Sequence, residues 1–409
     1  MLFQLTSEQE MVRLMAGDFA KKELEPYARE RDKNETFPAE VIRKMGDLGL
    51  MGMMVPPEHG GSGAGAVSYS LALQEIAYAL MGMMVPPEHG GSGAGAVSYS
   101  LALQEIAYAC ASTAVTMSVA NLSTEPLLHF GTEEQKEKYL LPLAAGQKLG
   151  AFAITEPDAG SDPSSMTTSA EEKDDHYLIN GRKIFITNGS YADVINLIAR
   201  TDSQKGNRGL SAFLIEKGMP GFSIGKKEEK LGLRASDTVE LVFDDCRVPK
   251  ENLLGKKGQG FKVAMTALDS GRIGIASQSL GIARACLDEA VNYSQNRRQF
   301  GKAISSFQAI QWMIADMATQ IEAAYWLTLA AANQKDLGVP FTKEASMAKL
   351  FASELANRAA YKALQIHGGY GYMAEYKIER LYRDARVTTI YEGTSEVQRI
   401  VIAREFLGK

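Results

Sequence analysis

The chain has 409 residues, enough for two or three domains at about 150 residues each. Apolar residues make up 45% and charged residues 23%, which excludes a disordered, collagen-like or small disulfide-stapled protein. With 44 Lys and Arg against 49 Asp and Glu, the net charge of -5 gives no electrostatic reason to expect a nucleic-acid partner.

Residues 1–148 read as a helical N-terminal domain. The stretch from Met1 to Glu10 lacks a basic segment followed by an apolar core, so no export signal is expected. Cys110, Cys246 and Cys286 are sparse and form no CxxC, as in a reducing, cytoplasmic setting. Thr6 with Gln9 three residues on is a capping box for a first helix carrying Val12 and Met15. Pro38 is expected inside the first turn of another helix, and Glu133 to Leu141 reads as a third.

Between these lies an identical repeat. Leu50 to Ala79 recurs without a change as Leu80 to Ala109. Two copies are too few for a solenoid, so one is read as extra, from a recent duplication or an insertion. Each copy has a Pro- and Gly-rich loop and then a helical stripe, which a spare copy must bury or expose. The uncharged run from Ile106 to Thr124 carries Ser112, Thr113, Thr116, Ser118, Asn121, Ser123 and Thr124, and is too polar for a membrane span.

Residues 149–255 switch to short β-like runs: 176–181, 183–189, 194–199, 210–215 and 239–244. This is the pattern of a sandwich or barrel. Residues 256–409 return to helix, with bundle-length segments at Gln308–Gly338 and Lys343–Ile366. The expected fold is mainly α with a central β domain: a helical N-terminal domain, a β-barrel or sandwich middle domain, and a C-terminal four-helix bundle.

Several chemistries are missing. There is no GxxxxGK[ST], no GxSxG and no GxGxxG, and the five histidines have no metal-ligand spacing, so no metal is expected. What remains are polar clusters at the edges of regular elements: ITEPDAGSD (154–162), KIFITNG (183–189), ALDSGR (267–272), RRQFGK (297–302), QIHGGYGY (365–372) and IYEGTSEVQR (390–399). Taken singly, each has an ordinary structural reading. Thr and Ser beside Gly form turns, Phe185 and Phe300 pack in a core, and Ser395 with Gln398 forms a capping box.

In this order, the clusters resemble the acyl-CoA dehydrogenase family, nearest its short-chain, butyryl-CoA-like members, over essentially the whole chain apart from the extra 30 residues. The resemblance implies fatty acid metabolism, FAD, an acyl-CoA substrate and electron-transferring flavoprotein as electron acceptor. It also implies a homo-oligomer, expected as a tetramer. Glu392 would be the catalytic base that takes the α-proton while hydride passes from the β-carbon to flavin N5, leaving a trans-2-enoyl-CoA. Its backbone N–H and a flavin ribityl hydroxyl would hold the thioester oxygen. Burial beside an apolar acyl chain should raise its pKa. Some relatives carry the base just before the Arg of ALDSGR, where this chain has Gly271, which cannot serve.

The resemblance assigns FAD contacts to Phe152, Ile154, Thr155, Gly160 and Ser161, and to Phe185, Ile186 and Thr187. Arg297, Phe300, Gln308, Gln365 and Gly369 would reach it from the neighbouring subunit, while Thr394 and Glu396 close the site. Acyl-CoA would contact Ser161, the segment from Asp269 to Arg272, Tyr391 and Gly393, over a pocket floor near residues 111–121. Three rival readings stay open: an enoyl-CoA reductase running in reverse, a flavin oxidase of the same fold, and a flavin-free helical assembly protein if the duplication breaks the site.

Overall fold

The computed structural model describes residues 5–48, 95–144 and 146–408. Helix α1 (Ser7–Phe19) begins at the expected capping box. Thr6 Oγ1 accepts from the Gln9 N–H at 3.2 Å, and Gln9 Oε1 accepts from the Thr6 N–H at 2.9 Å. After α2 (Ala28–Lys33) comes α3 (Ala39–Asp47), where Pro38 is the N-cap rather than a first-turn residue. Proline has no N–H to place in the helix, so it sits at the boundary, and its carbonyl accepts from the Ile42 N–H at 2.9 Å.

Next come α4 (Gly95–Ala109) and α5 (Ala111–Phe130), separated by Cys110 in extended conformation. The apolar run that crosses this point is therefore divided between two helices. Among the described residues, no helix is long and apolar enough to cross a membrane.

Helix α4 comes from the second copy of the repeat. It is buried along almost its whole length, with Leu101, Leu103 and Ile106 at 1% exposure or less. Each of these buried aliphatic side chains favours its docking by about 2 kcal/mol. The whole first copy, and the loop half of the second, lie outside the described residues.

The middle of the chain forms one eight-stranded sheet. Its order is β6-β7-β3-β2-β4-β5-β8, with β1 (Gly150–Ala153) pairing in parallel with β4 (Val194–Arg200). The two expected runs at 176–181 and 183–189 form a single strand, β3 (His176–Thr187), whose pairing with β7 (Thr238–Pro249) shifts register at two irregularities. Such bulges re-aim side chains without ending a strand. The strands β2 (Ser169–Glu172), β5 (Leu210–Glu216), β6 (Phe222–Lys227) and β8 (Leu253–Leu254) complete the sheet.

The C-terminal part consists of α6 (Gly260–Asn296), α7 (Gln308–Asp336), α8 (Thr342–His367), α9 (Lys377–Arg386) and α10 (Ser395–Leu407). An alanine-rich core joins α6, α7 and α8, and α4 packs into the same core. Gly281 on α6 permits that approach: a Cβ there would lie 2.6 Å from the Cβ of Ala107. Asp336, the last residue of α7, caps α4 by accepting from the Ala96 and Val97 N–H groups at 2.5 and 3.1 Å. The N-terminal helices are thus tied to the bundle through the repeat.

Candidate active site

The segment 390–394 makes a tight turn between a short 3-10 helix (Val387–Thr389) and α10. Glu392 and Gly393 both have positive φ, 53° and 84°. Glutamate rarely adopts that conformation, and a residue held there costs on the order of 1–3 kcal/mol. Surrounding donors fix the turn. Lys349 Nζ donates to the Gly393 carbonyl at 2.7 Å, and Gln398 Nε2 donates to the Glu392 and Gly393 carbonyls, both at 3.0 Å. The Tyr391 hydroxyl bonds to Gln278 Oε1 on α6. Thr394, not Ser395, is the N-cap, accepting from the Val397 N–H at 3.3 Å. The Ser395–Gln398 capping box does not form, because the Gln398 amide is committed to the turn.

The carboxylate of Glu392 points inward. Its Oε2 is shut from solvent and has no hydrogen-bond partner among the described residues, and neither has the nearby Arg272 Nε. Its backbone N–H likewise makes no bond to a described residue. Burial pushes the carboxyl up to about 7, against the pull of Lys349 and Arg272. Gly271 lies against it: a Cβ there would fall 2.7 Å from Glu392 Oε2 and 3.1 Å from Leu122 Cδ1. One turn further along α6, a Cβ at Gly274 would meet the Tyr99 hydroxyl at 2.9 Å. Residues 111–121 are buried in α5, behind this wall.

Arg272 is itself buried. It pairs with Asp269 and donates to Ser346 Oγ at 3.3 Å, while Asp269 accepts from the Thr342 hydroxyl at 2.6 Å. This pair therefore anchors α6 to α8, and Arg272 presents its charge to Glu392 from inside the protein. Thr394 and Glu396 line a cavity of about 320 Å³ beside the turn, together with Glu354 and Arg386.

A second cluster joins the 154–162 and 183–189 segments. The Ile184 N–H donates to the Thr155 carbonyl at 2.9 Å. Beneath them, Lys183 Nζ, wholly buried, donates to Glu156 Oε1 at 2.7 Å and to the Ile154 carbonyl at 3.0 Å. Glu156 also accepts from the Thr167 and Thr168 N–H groups. Burial pushes the Glu156 carboxyl up, but Lys183 and these donors outweigh it and hold the group at about 2. On top, Phe185 has φ 59° and leaves its ring 60% exposed, while Ile186 and Phe152 face the core. The Thr155 and Thr187 hydroxyls bond to no described residue, and Gly160 and Ser161 are exposed. An exposed flat ring flanked by free hydroxyls and open backbone fits a planar heteroaromatic group such as a flavin.

The remaining expected residues gather elsewhere. Arg297 and Gly369 line a cavity of about 560 Å³ at the far end of α6, where the Arg297 guanidinium sits 5.3 Å from the Tyr370 ring centre. Phe300 is 92% exposed in the hairpin beside it, and Gln308 and Gln365 are exposed. Along α6, Gly271 and Arg297 are roughly 40 Å apart at 1.5 Å per residue. Within one chain, the Arg297 group and the Glu392 turn cannot form one site.

Sequence profiles match all three regions. The profile described as acyl-CoA dehydrogenase, C-terminal domain, covers residues 258–407, and the middle-domain profile covers 151–246. The N-terminal-domain profile matches in two stretches, 6–81 and 79–147. The chain belongs to the acyl-CoA dehydrogenase family. It is 47% identical over 402 residues to the short-chain specific acyl-CoA dehydrogenase of Clostridium acetobutylicum, covering 98% of each chain. It superposes with a TM-score of 0.91 on the butyryl-CoA dehydrogenase of Megasphaera elsdenii, at 46% identity and with both chains fully covered. A structure reported for the electron transferring flavoprotein of Acidaminococcus fermentans matches with the same TM-score at 47% identity, also over both full chains.

As an acyl-CoA dehydrogenase, the protein is an oxidoreductase, and proteins of this family depend on FAD. Sequence alone gave no role to Lys349, Glu156, Lys183 or Tyr99, and gave Gln398 only a capping box that does not form. Glu156 and Lys183 stand inside quoted motifs, and their opposite charges were a signal that could have paired them. Lys349 lies in a plain helical segment and left none.

Proposed function

We propose that this acyl-CoA dehydrogenase oxidises a short-chain acyl-CoA to its trans-2-enoyl-CoA, as a cytoplasmic homo-oligomer that passes electrons to an electron-transferring flavoprotein. The observation that carries the reading is the Glu392 carboxylate: its Oε2 is shut from solvent without a hydrogen-bond partner among the described residues, and burial pushes the group up to about 7. A carboxylate in that state is a base matched to neutral pH.

Taking a proton from a thioester α-carbon places negative charge on the thioester oxygen. The free Glu392 N–H is the protein donor available to that oxygen, in the turn held by Lys349 and Gln398. Bound FAD would supply the hydride acceptor at N5 and a ribityl hydroxyl as the second donor. The Phe185 face with Thr155 and Thr187 would hold the flavin ring, and Ser161 and Gly393 would lie along the acyl-CoA. Arg297, Phe300, Gln308, Gln365 and Gly369 would serve a neighbouring subunit's site, which agrees with their separation from Glu392 along α6. The short-chain preference rests on likeness to the Clostridium and Megasphaera proteins, and on the Tyr99 hydroxyl that closes the space beside Gly274.

The test is a visible spectrum of the purified protein before and after anaerobic addition of butyryl-CoA. A flavin spectrum that bleaches supports the reading. An oxidised flavin that ignores butyryl-CoA but bleaches with another acyl-CoA moves the substrate class. Absence of flavin overturns the enzyme reading.

A further inference from the structure

The base of this site is held by a lysine that no motif contains. Lys349 lies on α8 with no solvent exposure. Burying an ammonium is costly unless it is paired, yet its nearest acceptor is not a carboxylate but the Gly393 carbonyl, 2.7 Å away. That carbonyl already accepts from Gln398 Nε2, so the turn would keep one donor without Lys349. The lysine thus brings a positive charge to a place where a neutral donor already serves the backbone. The group next along the chain is Glu392, whose Oε2 has no partner among the described residues.

We propose that Lys349 is a positioning residue for the base: its buried ammonium pins the Gly393 carbonyl and supplies the positive field in which the neighbouring Glu392 carboxylate ionises. The proposal rests on the reading of Glu392 as the base. Other groups face the same carboxylate. Arg272 approaches from α6, with its charge partly balanced by Asp269. The Tyr99 hydroxyl lies on the α4 side and the Tyr391 hydroxyl beside it, and both stay neutral. Glu354 and Glu396 lie near enough to Lys349 to favour its charged form, as does Glu392 itself. Burial pushes the ammonium down to about 8, so Lys349 is still charged at the pH where Glu392 titrates. Of the two cations, Lys349 acts on the carboxylate more strongly than Arg272.

Three substitutions separate the roles. Lys349→Gln keeps a neutral donor and removes the charge, Lys349→Met removes both, and Lys349→Arg keeps both. The readout is the infrared C=O stretch of the protonated Glu392 carboxyl, assigned as the band missing from Glu392→Gln and followed over pH 5 to 10. In parallel, flavin reduction by butyryl-CoA is timed at each pH. The Gln and Met variants should raise the infrared midpoint by about one pH unit, slow reduction about fivefold at pH 7, and recover at high pH. The Arg variant should stay near the wild type. An unchanged midpoint in Lys349→Gln, with a rate loss equal at all pH values, would overturn the proposal. If the midpoint shifts but butyryl-CoA never reduces the wild-type flavin, the positioning role stands and the proposed reaction falls. Should Lys349→Met not fold, the Gln and Arg pair still decides.

Discussion

At the scale of single residues, the site is organised around one carboxylate whose Oε2 has no hydrogen-bond partner among the described residues. A surface glutamate would sit in its ordinary range; Glu392 is pushed to about 7 by burial. As the proposed base, Glu392 works ionised, and ionisation grows as pH rises through that value. The rate of flavin reduction should therefore climb between pH 6 and 8 and level off above, as measured by stopped-flow mixing with butyryl-CoA. Glu392→Gln should slow this step by about 10²–10⁴-fold while leaving flavin content unchanged; near-normal reduction would move the base elsewhere. Gly271 gives a second test. A Cβ at Gly271 would fall 2.7 Å from Glu392 Oε2, closer than a Cβ can sit. Gly271→Ala should displace the carboxylate and cost about ten- to a hundredfold in reduction rate, with little change in melting temperature.

At the scale of elements, the buried Glu156–Lys183 pair clamps the 154–162 segment to β3, and their exposed sides are proposed to hold the flavin. Removing one member leaves a charge buried without its partner, which costs about 3–5 kcal/mol. Glu156→Gln should therefore lower the melting temperature and release flavin on gel filtration, whereas Phe185→Ala should weaken flavin binding without destabilising the fold. The pair also has a pH signature. Glu156 is held well below its ordinary 4.5, at about 2. Its stabilisation is thus present above pH 4.5 and lost as pH falls toward 2. Melting curves of the wild type should steepen their decline over that window, and those of Glu156→Gln should not.

Elements also show why some structure was legible in the sequence and some was not. The Thr6–Gln9 capping box forms as read because both its bonds span three residues and need no tertiary partner. The helices at Gln308–Asp336 and Thr342–His367 carry long apolar periods that survive any packing. Ser395 and Gln398 have the same capping-box spacing, yet the Gln398 side chain reaches back to Glu392 and Gly393. A local pattern lost there to a strained turn that needed donors. The strands at Gly150–Ala153 and Ser169–Glu172 are four residues each and lack alternation, so pairing with β4 and β3 defines them, not composition. Lys349 meets the Glu392–Gly393 turn because α8 packs against it, and no spacing rule links the two.

At the scale of the whole molecule, the question is what the repeat does. Every contact of the Gly95–Ala109 helix, from the Asp336 cap to Ser100 against Ser277 Oγ at 2.7 Å, is made by a sequence that also occurs at 65–79. Among the described residues the bundle has one such place, and one copy fills it. Deleting residues 50–79 and deleting 80–109 yield the same polypeptide, so a shortened chain keeps every residue that the described core uses. The connection from Leu48 to Gly95 would simply lose 30 residues. A roughly threefold change in the length of a connection alters closure entropy by about 1 kcal/mol. The shortened chain should therefore bind flavin with the same stoichiometry, reduce it with butyryl-CoA at the same rate, and melt at the same temperature or a few degrees higher. A shortened chain that loses flavin or falls in melting temperature would show that both copies carry structural load, and that the second place lies outside the core described here.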